Sequence, residues 1–303
     1  MPVKRFVSVI VGLVGAAALA GVAGASTVQS DVSSNWGGYV ASSPVDSTTG
    51  LPSTFSGASG TWVEPAAKCG TSVATSGPTS SAFWVGLGGN SETSQALEQL
   101  GTEADCSATG NTTYFAWYEL VPAPSHKIKM TVEPGDKITA SVAVSGTSIT
   151  MSLRNVTRGT SFSHVFTKSS VDTSSAEWIA EAPSLCDGND CRQTALTDFG
   201  KVAFSQASAT VDGHTGSIKD PAWTTTVLRL VTGGGGRFGN FSSESAAAKA
   251  TPTGLTAGAT SFTVKWSVSP SPSDGGYPGG GYPGGGYGGG YGGGGGYGNP
   301  YGY

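Results

Sequence analysis

The chain has 303 residues, only 12% of them charged and 37% hydrophobic, with a formal net charge of -4 and a pI near 5.3. An average globular chain is about a quarter charged; here Gly, Ser, Thr and Ala take that share. The balance excludes a basic face of the kind that binds nucleic acid, while the length suffices for a single sandwich or barrel domain of roughly 200–250 residues.

In chain order, Lys4 and Arg5 precede an apolar run from Phe6 to about Ala20, and Ala23-Gly24-Ala25 offers a small-x-small cleavage site. This is the layout of a secretory signal peptide over residues 1–25. A membrane anchor is the rival reading, but the run is short against the roughly 20 residues that a span needs. The expectation is a secreted protein with no stable membrane insertion after signal cleavage. Residues 26–32 form a short polar lead, and residues 33–269 read as one β-rich domain.

Short alternating or β-branched stretches recur through that domain. They are Gly60–Val63, Ala82–Gly86, Thr113–Leu120, Lys127–Val132, Lys137–Val144, Ser148–Asn155, Ser161–Thr167, Glu177–Glu181, Val202–Val211, Thr224–Val231 and Ser261–Val268. Turn signals such as Pro134-Gly135-Asp136, Ser145-Gly146 and Asp212-Gly213 separate them. Many short strands with regular turns predict an all-β sandwich or barrel. Ser94–Leu100 and Ala246–Ala250 are weak candidates for helical turns. Residues 270–303 are a Gly/Tyr/Pro-rich tail that holds seven of the chain's ten tyrosines. Such a composition buries no core and is expected to be disordered.

Cys69, Cys106, Cys186 and Cys191 make an even count in an exported chain, which points to disulfides with three possible connectivities. The close pair Cys186 and Cys191 would staple a small loop, and Cys69 with Cys106 would then close a larger one. No histidine lies near either pair, so no metal site is expected there.

Common catalytic arrangements are missing. His126, His164 and His214 fit no metal-ligand spacing and follow no nucleophile elbow. Asp172-Thr173-Ser174 lacks the glycine of the pepsin-like motif and has no second copy, so it is read as a turn. What remains are carboxylates and amides in apolar, aromatic settings. In a strand over Glu177-Trp178-Ile179-Ala180-Glu181 the two glutamates and Ile179 share a face, with Trp178 and Ala180 opposite. Trp117-Tyr118-Glu119 and Leu97-Glu98-Gln99-Leu100-Gly101 are similar segments. A carboxyl buried beside tryptophans has its pKa raised by desolvation, which suits it to proton transfer.

These segments, in this order, resemble the glutamic peptidases (the eqolisin, or G1, family). The resemblance runs from Ser34-Asn35-Trp36-Gly37-Gly38 through Phe83-Trp84-Val85-Gly86, Glu98-Gln99-Leu100-Gly101 and Ala116-Trp117-Tyr118-Glu119. It continues through Gly135-Asp136 and Ala176-Glu177-Trp178-Ile179-Ala180-Glu181 to Asp198-Phe199-Gly200 and Ser261-Phe262-Thr263-Val264. It implies a concanavalin A-like (lectin-like) sandwich of two antiparallel seven-stranded sheets. It also implies an acid endopeptidase that needs no cofactor or metal and acts on protein or peptide substrates.

The family's catalytic glutamine matches Gln99. Its glutamate is the second of the E-W-I-x-E stretch, five residues ahead of a disulfide cysteine. Glu181 lies five before Cys186 and therefore matches, whereas Glu177 does not. Trp84, Glu103, Trp117 and Glu119 match positions that line the family's cleft. Two supporting aspartates of fungal members are replaced here by Gly88 and Phe115. The implied mechanism has Glu181 take a proton from a water that it holds with Gln99, while the Gln99 amide stabilises the oxyanion. A monomer suffices for this chemistry. The alternatives are a non-catalytic carbohydrate- or surface-binding sandwich, and a retaining glycosidase with Glu177 and either Glu181 or Glu119 as its carboxylate pair.

Overall fold

The computed structural model describes residues 27–43, 52–69, 78–91, 94–187, 190–231 and 248–267. The expected signal peptide and the Gly/Tyr/Pro tail lie outside the described residues. Every regular element described is a strand. The first seven are β1 (Val28–Ser33), β2 (Trp36–Ser42), β3 (Phe55–Val63), β4 (Thr79–Gly88), β5 (Leu97–Cys106), β6 (Thr112–Leu120) and β7 (His126–Ile128). Next come β8 (Lys137–Ser145), β9 (Ser148–Asn155), β10 (Thr160–Thr167) and β11 (Ser175–Glu181). The short β12 (Ser184–Asp187), β13 (Asp190–Gln193) and β14 (Ala195–Leu196) follow. The chain then builds β15 (Lys201–Val211), β16 (His214–Ser217), β17 (Thr224–Val231), β18 (Ala248–Pro252) and β19 (Phe262–Trp266).

Two findings correct the sequence expectations. The stretch weighed as a helical turn over Ser94–Leu100 enters β5, because Leu97 to Cys106 bond to β4 on one side and β6 on the other. A strand paired on both edges satisfies its backbone groups without a helix. Likewise, residues 248–250 of the weak helical patch Ala246–Ala250 belong to β18, which pairs with β17 and β19. Residues 28–32 of the stretch 26–32 read as a polar lead belong to β1, which pairs in parallel with β17.

The pairing follows two ladders. One runs β7-β6-β5-β4-β11-β2-β17-β1, and the other runs β10-β9-β8-β3-β15-β19-β18. They join through β17 and β18, so 17 strands make one hydrogen-bonded sheet bent into two layers. Cross-layer bonds fix the layers face to face. The Trp178 indole on β11 donates to the Ser59 carbonyl on β3 at 2.7 Å, and the Trp62 indole on β3 donates to Thr102 Oγ1 on β5 at 2.9 Å. β9 shows the underlying logic: Ile149, Met151 and Leu153 point into the core, while Thr150, Ser152 and Arg154 alternate outward. β4 is buried along its whole length, as a central strand covered on both faces must be. Fully burying each large apolar side chain contributes about 1.5–3 kcal/mol.

Several carboxyls are buried in this framework. Glu64 takes the Thr102 hydroxyl on one oxygen and has no partner on the other. Burial pushes its pKa up to about 8. Glu98 is fully buried with no well-formed hydrogen bond to either carboxyl oxygen, and burial, reinforced by the Asp172 charge, raises its pKa to about 8. Asp136 goes the other way. Burial pushes it up, but the Arg158 guanidinium at 2.6 Å and the Asn155 amide at 2.8 Å more than offset this and hold it below the usual aspartate value.

Candidate active site

Strand register sets the outer face of the first layer. Directly opposed residues fall into rows across β2, β11, β4, β5 and β6. One row is Trp36, Glu181, Ala82, Glu103 and Phe115. The next is Gly38, Ile179, Trp84, Gly101 and Trp117, continued by Lys127 on β7. The third is Val40, Glu177, Gly86, Gln99 and Glu119. Successive rows are two residues apart along each strand, so all three share one face. Trp36, Val40, Trp84, Leu97, Trp117 and Ile179 belong to a hydrophobic cluster there, separate from the interlayer core.

Glu181 is 5% exposed and Gln99 is 3% exposed. Glu181 Oε2 accepts from the Trp84 indole at 2.7 Å, and Oε1 accepts from the Asn35 amide at 3.2 Å. Trp36 meets Trp84 edge-on, with ring centroids 5.0 Å apart, and so fixes the indole that holds the carboxylate. Gln99 Nε2 donates to Glu119 Oε2 at 2.6 Å, while its Oε1 is buried without a hydrogen-bond partner. The amide orientation follows from that network, since a carboxylate accepts and does not donate. Gln99 and Glu181 thus flank the row of Trp84 from opposite sides.

Gly101 lies between the indoles of Trp84 and Trp117 in that row, and only glycine fits there. A Cβ would come within 2.1 Å of the Phe83 carbonyl oxygen and 2.6 Å of Trp84 Cβ. Glu103, two strands from Glu181 across β4, has its carboxyl pushed well above the usual range by burial, with the like charges of Asp105 and Glu181 adding to the effect. A proton held on Glu103 limits repulsion against Glu181.

All six sequence-derived positions, Glu181, Gln99, Trp84, Glu103, Trp117 and Glu119, therefore stand on one face. Cys69 and Cys106 form a disulfide at the end of β5, with Cα atoms 5.4 Å apart. Cys186 and Cys191 oppose each other in the β12–β13 hairpin, and their side chains lie outside the described residues. None of the three histidines reaches the face. His126 stacks on Tyr118 on the other side of β6, His164 lies on β10 and His214 meets Asp220 at 3.0 Å. Among the described residues, no group of three or more His, Cys, Asp or Glu is arranged to hold a metal ion. Residue-level reasoning gave no role to Asn35 or Lys127; an amide directly before Trp36 was the visible signal for the first.

The replaced aspartate at Gly88 has a structural explanation. Gly88 has φ +85°, and a Cβ there would sit 2.5 Å from Asp172 Cβ. Asp172 accepts from the Gly89 N–H at 3.0 Å, from the Ser174 N–H at 2.9 Å and from the Ser94 hydroxyl. A second groove, of about 730 Å³, includes Tyr39, Lys219, Thr253 and Leu255 in its wall. It has no carboxylate in its lining and faces the Tyr39 side of β2, away from Glu181.

The sequence pattern described as the Peptidase A4 family matches residues 34–234, which contain the whole of this face. The chain belongs to the peptidase A4 family. A curated relative, aspergillopepsin-2 of Aspergillus niger, is 36% identical over 138 residues, which is 44% of this chain and 46% of the relative. The chain thus spans about half the length of the curated relative it matches. Among solved structures, scytalido-glutamic peptidase with a transition state analog inhibitor is similar at a TM-score of 0.60 and 25% identity, over 78% of this chain and 100% of that one. SCP-B, an eqolisin-family peptidase in complex with the tripeptide Ala-Ile-His, is similar at a TM-score of 0.58 and 25% identity, with the same coverage of 78% and 100%. These family relations agree with the all-β, two-layer architecture.

Proposed function

We propose that this A4-family chain is an acid endopeptidase that hydrolyses peptide bonds with Glu181 and Gln99 as its catalytic pair. The observation that carries this reading is the pairing of two buried, differently restrained groups on one face. Glu181 is held by Trp84 and Asn35, and Gln99 is held by Glu119 with its amide oxygen left open.

Peptide hydrolysis by water requires a base, an acid for the leaving nitrogen and a donor for the oxyanion. The ionised Glu181 takes a proton from a water that also donates to the open Gln99 Oε1. The resulting hydroxide adds to the scissile carbonyl carbon. The second Gln99 N–H, the one not committed to Glu119, donates to the oxyanion. Glu181 then delivers the proton to the leaving nitrogen as the C–N bond breaks, which returns the enzyme to its starting state. Trp84, Glu103, Trp117 and Glu119 shape and tune the cleft around this pair.

The reading extends to the rest of the chain. Residues 1–25 act as a signal peptide, and the product is secreted as a monomer that takes protein or peptide substrates and no nucleic acid. Residues 33–269 carry the catalytic sandwich, residues 28–32 of the lead before it belong to β1, and residues 270–303 are the Gly/Tyr/Pro-rich tail. The test is purified protein offered an unfolded protein substrate and, separately, a polysaccharide panel at acidic pH. New peptide termini are expected. Reducing sugar without peptide cleavage would replace this reading with the glycosidase one.

A further inference from the structure

The row through Trp84 leads from the catalytic pair to the edge of the layer. It passes Gly101, where no side chain rises between the two indoles, then Trp117, and ends on β7 at Lys127. The Trp117 indole N–H is buried and has no hydrogen-bond partner. At the end of the row the Lys127 ammonium lies 3.6 Å from the centroid of the Phe115 ring. Lys127 is exposed and Phe115 half-buried, and among the described residues Lys127 forms no ion pair.

We infer that Lys127, braced on Phe115, is a specificity-determining residue that binds a carboxylate of the substrate several residues from the scissile bond. The inference rests on the peptidase reading above. From Trp84 to Lys127 the row crosses three strand spacings of ~4.8 Å, roughly 14 Å in all. That is the reach of about four residues of extended chain. Among the described residues, a peptide running from the catalytic pair along the glycine gap meets one cation on this path, Lys127 at its end. The ring beneath holds that cation at the rim by attraction to its π face, so the ammonium is presented there and not left to roam. Glu103, directly opposite Phe115 on β5, is near enough for the Lys127 charge to act on it against the raising effect of burial, and the exposed ammonium keeps a solvent side for a further anion. A carboxylate can come from an Asp or Glu side chain or from the end of the substrate chain, and both are the same ligand to an ammonium.

The test compares cleavage of matched peptides carrying Glu, Gln or Lys at the third to fifth positions on either side of the scissile bond. Each is made with a free and with an amidated C-terminus and assayed at about pH 5, where a free Glu is mostly ionised. For the wild-type protein, kcat/KM for the Glu peptide is expected to exceed that for the Lys peptide by about twofold to fivefold at one of these positions, the size of an exposed ion pair. In the Lys127→Glu variant that ratio should invert. Preference for internal Glu assigns the site to a side chain, and preference only for the free acid assigns it to the chain end. Glu/Lys and free-acid/amide ratios that are both near one in the wild type, or ratios unmoved by Lys127→Glu, overturn the inference while leaving the peptidase reading intact. A folded wild-type protein that cleaves none of the peptides overturns both.

Discussion

At the scale of residues, the site is organised by what each polar group is denied. Gln99 has one amide N–H committed to Glu119 and a buried oxygen with no partner, which leaves that oxygen open to a ligand or water. Replacing Gln99 by Ala removes the proposed oxyanion donor, and such losses cost on the order of 2.7–4 kcal/mol, a fall in kcat of about 10²–10³. An unchanged rate would remove Gln99 from the mechanism. In the proposed mechanism Glu119 acts through Gln99, to which it is hydrogen-bonded, as a positioning residue. A hydrogen bond to a charged group contributes about 1.5–3 kcal/mol, so Glu119→Ala is expected to lower kcat roughly tenfold or more. Its effect on KM should be smaller, and steady-state kinetics would separate the two. A change confined to KM would show that Glu119 serves substrate binding instead. Composition and pattern made this chemistry only partly legible. They drew attention to glutamates beside tryptophans, but the choice of Glu181 over Glu177 came from the family resemblance. The Asn35 contact required the fold, because it joins β11 to the chain just ahead of β2.

At the scale of elements, alternation is informative only where a strand has one wet face. β9 and β17 were legible to the residue because their outward positions carry Ser, Thr and Arg. β5 was not: it is buried on both sides over most of its length, so Leu97 and Leu100 mimic a helical spacing while their strand state is dictated by β4 and β6. β2 was missed for a similar reason, since Gly37 and Gly38 depress strand propensity and only pairing with β11 and β17 restores it. The same tight packing predicts how substitutions behave. Gly101→Ala would force Cβ against the Phe83 carbonyl and Trp84, and overpacking of this kind costs typically 1–3 kcal/mol. A lowered denaturation midpoint together with lost activity is expected; a variant as stable and active as the wild type would show that Trp84 is not held where described. Restoring an aspartate at Gly88 should also destabilise the protein, because Asp172 already fills that space.

At the scale of the whole molecule, the buried carboxyls set how stability varies with pH. Glu64 and Glu98 have folded-state pKa values raised from 4.5 to about 8. The folded state therefore keeps protons that the unfolded chain releases. Their stabilising effect is complete below about pH 4.5 and is lost as the pH rises toward about 8, at up to ~1.4 kcal/mol per pH unit for each group. Asp136 and Asp172 act with the opposite sign. Burial pushes both up, but Arg158 and Asn155 around Asp136, and Ser94, Ser174 and Gly89 around Asp172, hold them below 3.8. The stability they add is present above that value and is lost as the pH falls through the lowered pKa. A maximum in the mildly acidic range follows. Urea midpoints measured at about pH 4 and pH 7 should show the protein weaker at the higher pH, with a smaller difference in Glu98→Gln. A midpoint that rises toward neutrality would contradict this account of the interior.

The central claim is that Glu181 performs acid-range peptide hydrolysis. It is tested most directly by digesting an unfolded protein with the purified protein from about pH 2 to 7, beside the Glu181→Gln variant, with pepstatin present. The account predicts pepstatin-resistant cleavage at acidic pH that vanishes in a variant whose circular dichroism is unchanged. Undiminished cleavage by a folded Glu181→Gln protein would contradict it.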